Sequence, residues 1–186
     1  MCKSYKPQTI QSNHGKKVAP NIMNRNFKTD APAKAWVSDL TYISTDQGWL
    51  YLTTILDLFD HSIVEWSMFE DMKVENTVLK SWKMAKRNRK PEKGMIFHSD
   101  QGVQYIAENF QKGLTKNHVT QSMSRKGNYW DNVVAENFFK ILKSEMVDHK
   151  YYYSFTQARN DIFEFIEVWY NRKRIHSVLG YKPQNN

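Results

Sequence analysis

Cysteine occurs once in 186 residues, as Cys2, which excludes an internal disulfide and fits a reducing compartment. Histidine is limited to six scattered residues; without a cysteine pair they offer no ligand spacing for a zinc or other transition-metal centre. The seven glycines form no phosphate-cradling loop of the nucleotide-binding kind, and no nucleophile elbow is present. No apolar run approaches the length of a membrane span. The N-terminus carries Lys, Gln, Asn and His where a secretion signal needs an apolar core. Internal repeats and low-complexity segments are also missing. The expectation is a soluble cytoplasmic protein, with no role for membranes.

What is present is charge of one sign and aromatic surface. The formal net charge is +8, the aromatic content 14% and the hydrophobic content 40%. That is enough apolar material for one domain with a sizeable core and a short appendage. A basic balance points to a polyanionic partner, and aromatics suit base or sugar contacts as well as packing. The charges are also segregated. Residues 35–79 hold eight of the nineteen acids and one basic residue, Lys73, whereas residues 80–93 hold seven basic residues and only Glu92. Residues 112–126 add four basic residues and no acid. A metal-binding cleft flanked by phosphate-binding surface would produce this layout, and so would ordinary solvated helix faces.

Residues 1–34, with seven basic residues, one acid and three prolines, read as an extended basic arm or linker. From residue 35 the pattern becomes that of a core. Trp36–Thr45, Trp49–Phe59 and Ile63–Phe69 read as three strands joined by short turns, an antiparallel meander. Lys73–Arg89 has apolar residues at helical spacing, with Lys80, Lys83, Lys86 and Arg87 on the other side. A strand at Met95–His98, a helix at Ala107–Lys116 and a strand at His118–Met123 follow. A helix from Val133 to about His149 and another over Phe155–Lys173 complete the order βββαβαβαα. This is an α/β fold: a mixed five-stranded sheet flanked by helices. The core is expected over 35–175, with a C-terminal tail over 176–186.

Three carboxylates stand out. Asp39 lies among Trp36, Val37, Leu40, Tyr42 and Ile43, in a strand where an unpaired carboxylate is costly, unless it faces solvent or pairs with a cation. Asp100 sits just past a strand end, where it can equally form the turn at Gln101-Gly102. Glu136 lies near a helix start that Asp131 or Asn132 can cap. On a helical projection Glu136, Lys140 and Lys143 cluster opposite a stripe of Val134, Phe138, Ile141 and Leu142. A Glu136–Lys140 pair on a solvated face accounts for that position as well as a cleft wall does. Hard oxygen ligands from these three places can nevertheless converge on Mg²⁺.

The segments Trp-Val-Ser-Asp39-Leu-Thr-Tyr-Ile, His-Ser-Asp100-Gln-Gly and Ser-Arg-Lys-Gly-Asn-Tyr-Trp-Asp-Asn-Val-Val-Ala-Glu136-Asn-Phe-Phe resemble the Asp-Asp-Glu motifs of bacterial insertion-sequence transposases. That group is related to retroviral integrases and built on a ribonuclease-H-like core. Thirty-five residues separate Asp100 from Glu136, the spacing for which the triad is named. Tyr170-Asn-Arg-Lys-Arg-Ile-His-Ser-Val-Leu-Gly-Tyr181 is similar to the family's C-terminal signature.

The resemblance implies a ribonuclease-H-like fold and metal-dependent cleavage of transposon ends, followed by strand transfer through the freed 3′-hydroxyl. Asp39, Asp100 and Glu136 would be the catalytic residues and the ligands of Mg²⁺ or Mn²⁺, two ions in all. Arg125, Lys126, Lys140 and Lys143 would contact DNA phosphates, and Tyr129 or Trp130 a sugar or base, unless these aromatics plug the helix start. DNA would be the partner, and the chain would act as a homo-oligomer on it. Full-length relatives carry helix-turn-helix and coiled-coil segments ahead of the core and run on past the position of Asn186. Neither segment is legible here, so a shortened core is expected. The alternatives are a non-catalytic DNA-binding remnant that inhibits an intact transposase, and a ribonuclease acting on RNA–DNA hybrids.

Overall fold

The computed structural model describes residues 18–73 and 76–173, together with the backbone of two short strands at 175–176 and 182–183. Most of the basic arm and the C-terminal signature beyond Lys173 lie outside the described residues, as do Val74 and the side chain of Tyr129.

The sheet is built from β1 (Ala35–Thr45), β2 (Gly48–Asp57), β3 (Ile63–Phe69), β4 (Ile96–Ser99) and β5 (Thr120–Met123). Their order is β3-β2-β1-β4-β5. The first three strands form the antiparallel meander, while β4 joins β1 and β5 joins β4 in parallel. Parallel neighbours need crossovers, and helices supply them. α1 (Val78–Asn88) links β3 to β4, and α2 (Glu108–Lys116) links β4 to β5. α3 (Val133–Glu145) and α4 (Phe155–Phe163) cover the opposite face. This is the ribonuclease-H-like fold, in the element order expected.

Two apolar clusters form, one on each face of the sheet. Under α1 and α2 an edge-to-face series runs through Trp36–Trp82, Trp82–Phe97 and Phe97–Phe110, with ring centroids 6.0, 5.7 and 5.4 Å apart. Each such pair adds about 0.5–1.5 kcal/mol beyond the area it buries. Phe97 belongs to two of the pairs and is fully buried; its loss to Ala would cost about 3–5 kcal/mol. On the other face Val37, Ile43, Leu50 and Leu52 meet Phe138, Leu142, Ile162 and Ile166. Because both faces are covered, strand alternation does not mean alternation of exposure. Glu65 and Ser67 are buried, and Asn88 and Ser81 of α1 meet them as hydrogen-bond partners.

Three elements differ from the sequence reading. α1 starts at Val78 rather than Lys73, and the Lys73 carbonyl accepts the Thr77 N–H and hydroxyl in a separate turn. α3 ends at Glu145, and the expected extension to His149 is a separate 3₁₀ turn, Val147–His149. α4 continues as a π-helix over Glu164–Tyr170. After it, Asn171 donates to the Ile63 carbonyl (3.1 Å) and accepts the Ile63 N–H (2.9 Å). One side-chain amide thus pairs an edge-strand residue of β3 as a neighbouring strand would. The described part of the arm lies against the sheet end, where Ser122 Oγ accepts the Ile22 and Met23 N–H groups. Beyond Lys173 the backbone forms a two-stranded ladder, β6 (Ile175–His176) with β7 (Lys182–Pro183).

Candidate active site

Parallel pairing of β1 with β4 brings the two aspartates together. The register sets Val37 opposite His98, and the same register carried two residues further puts Asp39 level with Asp100. Asp39 Oδ1 accepts the Leu40 N–H at 2.8 Å, and Asp100 Oδ1 accepts the Gly102 N–H at 2.9 Å. A Cβ at position 102 would stand 3.0 Å from Asp100 Oδ1 and 3.2 Å from Gln104 Oε1. Glycine is favoured there by the close approach of the two side chains, which would have to give way by a few tenths of an ångström, and not by its φ.

The third carboxylate arrives on α3. Asn132, just before that helix, donates Nδ2–H to the carbonyl of Ser38 at 3.2 Å and so ties the helix start to the residue preceding Asp39. Neither Asn132 nor Asp131 makes a side-chain cap. The buried Asn132 Oδ1 has no partner among the described residues. Glu136 stands in the first turn. The buried stripe of α3 is Ala135, Phe138, Phe139 and Leu142, with Val134 and Ile141 half-buried. This is rotated from the projected stripe towards Ala135 and Phe139. Glu136 itself is half-buried, and it forms no ion pair with Lys140 among the described residues.

Asp39, Asp100 and Glu136 are all partly exposed, so they line a surface recess rather than a sealed cavity. Their charges interact. Desolvation, then the charges of Asp100 and Glu136, push the Asp39 carboxyl well above its usual range, against the Leu40 N–H and Lys143. Desolvation raises Asp100 to about 6 despite its hydrogen bond from Gly102. Burial and then the charge of Asp100 raise Glu136. Beneath the two aspartates, Tyr105 OH meets Ser38 Oγ at 2.8 Å, and burial followed by both aspartate charges pushes its phenol well up.

Carboxylates that raise one another and, among the described residues, have no guanidinium acting on them are a donor set short of positive charge. Hard oxygen donors in that state fit Mg²⁺ or Mn²⁺. As the side chains stand, no group of three or more His, Cys, Asp or Glu among the described residues is gathered closely enough to hold one ion.

The residues expected at DNA fall into different settings. Lys143 Nζ lies 5.4 Å from the centre of the Tyr42 ring, on the recess side of α3. Lys140 is exposed on the same helix, and Trp130 is 54% exposed at its approach. Lys126 is exposed in the loop before it. Arg125 is already engaged: Nε and Nη2 donate to Asp131 Oδ2 and Oδ1 at 2.8 and 2.7 Å. A phosphate there would have to share the guanidinium with Asp131.

Asp131 was legible in the sequence only as a candidate cap, yet it is the hub of this end of the molecule. Its fully buried carboxylate also accepts Arg25 Nε (2.9 Å), Asn21 Nδ2 (2.9 Å) and the Arg125 N–H (3.0 Å). Hydrogen bonds from Arg125 hold it far below the ordinary carboxylate range. Its carbonyl faces His98 Nε2 at 2.7 Å, while His98 Nδ1 meets Ser122 Oγ. The arm, β4, β5 and the start of α3 are joined at this point. A local signal existed, since Arg125 precedes Asp131 across a Gly127 turn with φ 69°; the contacts to Asn21 and Arg25 left none.

The sheet order and the recess beside the middle of β1 and the end of β4 define a core of the ribonuclease-H-like class. Comparison with known proteins makes the family definite. An integrase core domain family model matches residues 29–129, and a second model of that description matches residues 136–185. The chain belongs to the integrase core domain family. It is 44% identical over 92% of its length to the insertion element IS600 uncharacterized 31 kDa protein of Shigella sonnei, covering 63% of that protein. It is 42% identical over 88% of its length to the transposase for insertion sequence element IS904 of Lactococcus lactis, covering 64%. With the transposase InsF for insertion sequence IS3A of Escherichia coli the figures are 36%, 90% and 58%. The chain therefore spans less than two thirds of these relatives. Among solved structures, the HTLV-2 integrase catalytic core domain in complex with magnesium (dimeric form) superposes with a TM-score of 0.62. The identity is 16%, covering 84% of this chain and 97% of that one. The catalytic domain of Mos1 mariner transposase gives 0.62 at 10% identity, covering 73% and 71%.

Proposed function

We propose that this core cleaves phosphodiester bonds at transposon ends with the help of divalent metal ions, and joins the freed 3′-hydroxyl to a second DNA strand. The observation that carries this reading is the trio Asp39, Asp100 and Glu136. All three are raised by burial; the charges of Asp100 and Glu136 raise Asp39 further, that of Asp100 raises Glu136, and Lys143 is the counter-charge acting on Asp39.

Asp39, Asp100 and Glu136 would hold Mg²⁺ or Mn²⁺, two ions in the full assembly. When bound, the metal supplies Lewis-acid chemistry, activating the attacking oxygen and offsetting charge on the leaving one. The protein's own part is placement. The β1–β4 register holds the two aspartates level, and the Asn132–Ser38 bond fixes where α3 delivers Glu136. Lys140 and Lys143 lie on the helix that carries Glu136 and would follow the phosphates of the DNA end. Lys126 and Trp130 would meet the strand beside them. The assignment of Tyr129 to the same strand rests on its sequence position alone. A homo-oligomer acting on DNA in the cytoplasm completes the reading; solved relatives include a dimeric form of an integrase core and an intasome.

The test uses Mg²⁺ and a labelled duplex carrying a candidate transposon-end sequence. End cleavage or strand transfer is expected, and Glu136→Gln and Asp39→Asn should abolish it. Unchanged activity in both variants would remove the triad from the mechanism. Preferential cutting of RNA–DNA hybrids would favour a ribonuclease, and inert but salt-sensitive binding a non-catalytic remnant.

A further inference from the structure

The basic run 80–93 takes no part in the recess. Its helix, α1, packs on the sheet face opposite α3, in the cluster that holds Trp36, Trp82 and Phe97. One member, Arg89, turns inward and bonds Asp57 and Asp60. The other six do not. Lys80, Lys83, Arg87, Lys90 and Lys93 are exposed and Lys86 is half-buried. None of the six forms an ion pair among the described residues, and the adjacent Glu92 faces Lys34. The strip continues across the ends of both helices. Gly94 N–H bonds the His118 carbonyl at 2.8 Å, and Lys90, Glu92, Lys93, Asn117 and His118 line one shallow recess, beside exposed Lys116.

Helix electrostatics explain only part of this. Lys86 and Arg87 in the last turn of α1, and Lys116 at the end of α2, complement the negative helix ends. Lys80 and Lys83 lie in the first half of α1, where the same field disfavours cations, and no acid balances them in the first turn. Lys80 has the Phe69 ring beneath it at 4.7 Å; Lys83 has no such ring partner among the described residues. A folded helix does not need this charge on its solvent side.

We infer that the α1 face, continued by Lys90, Lys93 and Lys116, is a second duplex-DNA surface that grips the phosphate backbone without reading sequence, on the far side of the sheet from the carboxylate recess. Cations three and four residues apart stand along one side of the helix, as a run of phosphates requires. The protein could then hold one duplex at the recess and another, or a distant part of the same one, behind it. The inference goes beyond the proposed chemistry and does not need the recess to be active.

The experiment measures binding of the full chain to a short random-sequence duplex by fluorescence anisotropy over a salt series. Lys83→Glu, Arg87→Glu and Lys90→Glu combined should weaken binding by about 10- to 100-fold and flatten the log–log salt slope by about two to three. The charge-conserving variant Lys83→Arg, Arg87→Lys and Lys90→Arg should bind as the wild type does, and unfolding midpoints of all variants should agree within a few degrees. Unchanged affinity and slope in the Glu variant would overturn the inference. So would binding to phosphatidylserine vesicles that tracks these residues while duplex binding does not. The two readings fail separately: a wild type that binds through α1 but cuts nothing would sink only the recess, and one that cuts DNA while the Glu variant binds as before would sink only this surface.

Discussion

Two sets of carboxylates in this protein are treated in opposite ways. Asp57 and Asp131 have fully buried side chains and are saturated with donors. Asp57 takes bonds from Arg89, the Trp36 indole and the N–H groups of Ala33 and Phe59. Asp131 takes two guanidiniums, an amide and a backbone N–H. Asp39, Asp100 and Glu136 are less buried, yet among the described residues the charges that act on them come from one another and from Lys143, not from an arginine. The more buried groups are electrically the more comfortable. Burial alone therefore does not single out the carboxylates of a candidate site; an unmet demand for positive charge does.

Removing a saturated carboxylate should do the most harm. Asp131→Ala leaves Arg25 and Arg125 without their anion and unfastens the arm from the start of α3. A loss of about 2–4 kcal/mol is expected, moderated because both arginines are half exposed. At roughly 2–4 °C per kcal/mol the unfolding midpoint reports it directly. Asp100→Asn should have the opposite sign: the metal-free protein keeps its stability at neutral pH or gains up to about 1 kcal/mol, because a repelling charge is gone.

The pH dependence sharpens the contrast. Asp131 is held below its unfolded value, so its contribution is present above about pH 4 and is lost as the pH falls through its low native value. Asp100 is raised to about 6, so the metal-free protein is favoured while both states are protonated. That advantage is lost as the pH rises from about 4, the unfolded value, through 6. Denaturant midpoints measured from pH 3 to 8 should show a decline over that upper window that Asp100→Asn reduces, the raised carboxyls of Asp39 and Glu136 keeping part of it. A smaller effect is expected from Gly102→Ala. Its Cβ would crowd the Asp100 carboxylate, weakening Mn²⁺ binding several-fold while shifting stability by about 1 kcal/mol or less.

The strands and the helix order were legible because period and turn signals are local: Ile63–Phe69 has the bounds read from its β-branched and aromatic run. The triad positions could be named from motif spacing, but their electrostatic coupling depends on the parallel β1–β4 register, which no local pattern encodes. Asp131 shows the same limit from the other side. Its partners Asn21 and Arg25 are far away in the chain, within a segment that reads as polar linker. The π-helix at Glu164–Tyr170 has the pattern of continuous α-helix, since one residue of extra width hardly disturbs an amphipathic sequence.

The claim that the second set awaits a divalent cation is tested most directly by titrating Mn²⁺ into the metal-free protein and following both calorimetric heat and the unfolding midpoint. The wild type should bind and gain stability, Asp39→Asn and Glu136→Gln should lose most of both effects, and Asp131→Asn, if folded, should retain them. Equal binding and equal stabilisation in a variant lacking all three of Asp39, Asp100 and Glu136 would contradict the account.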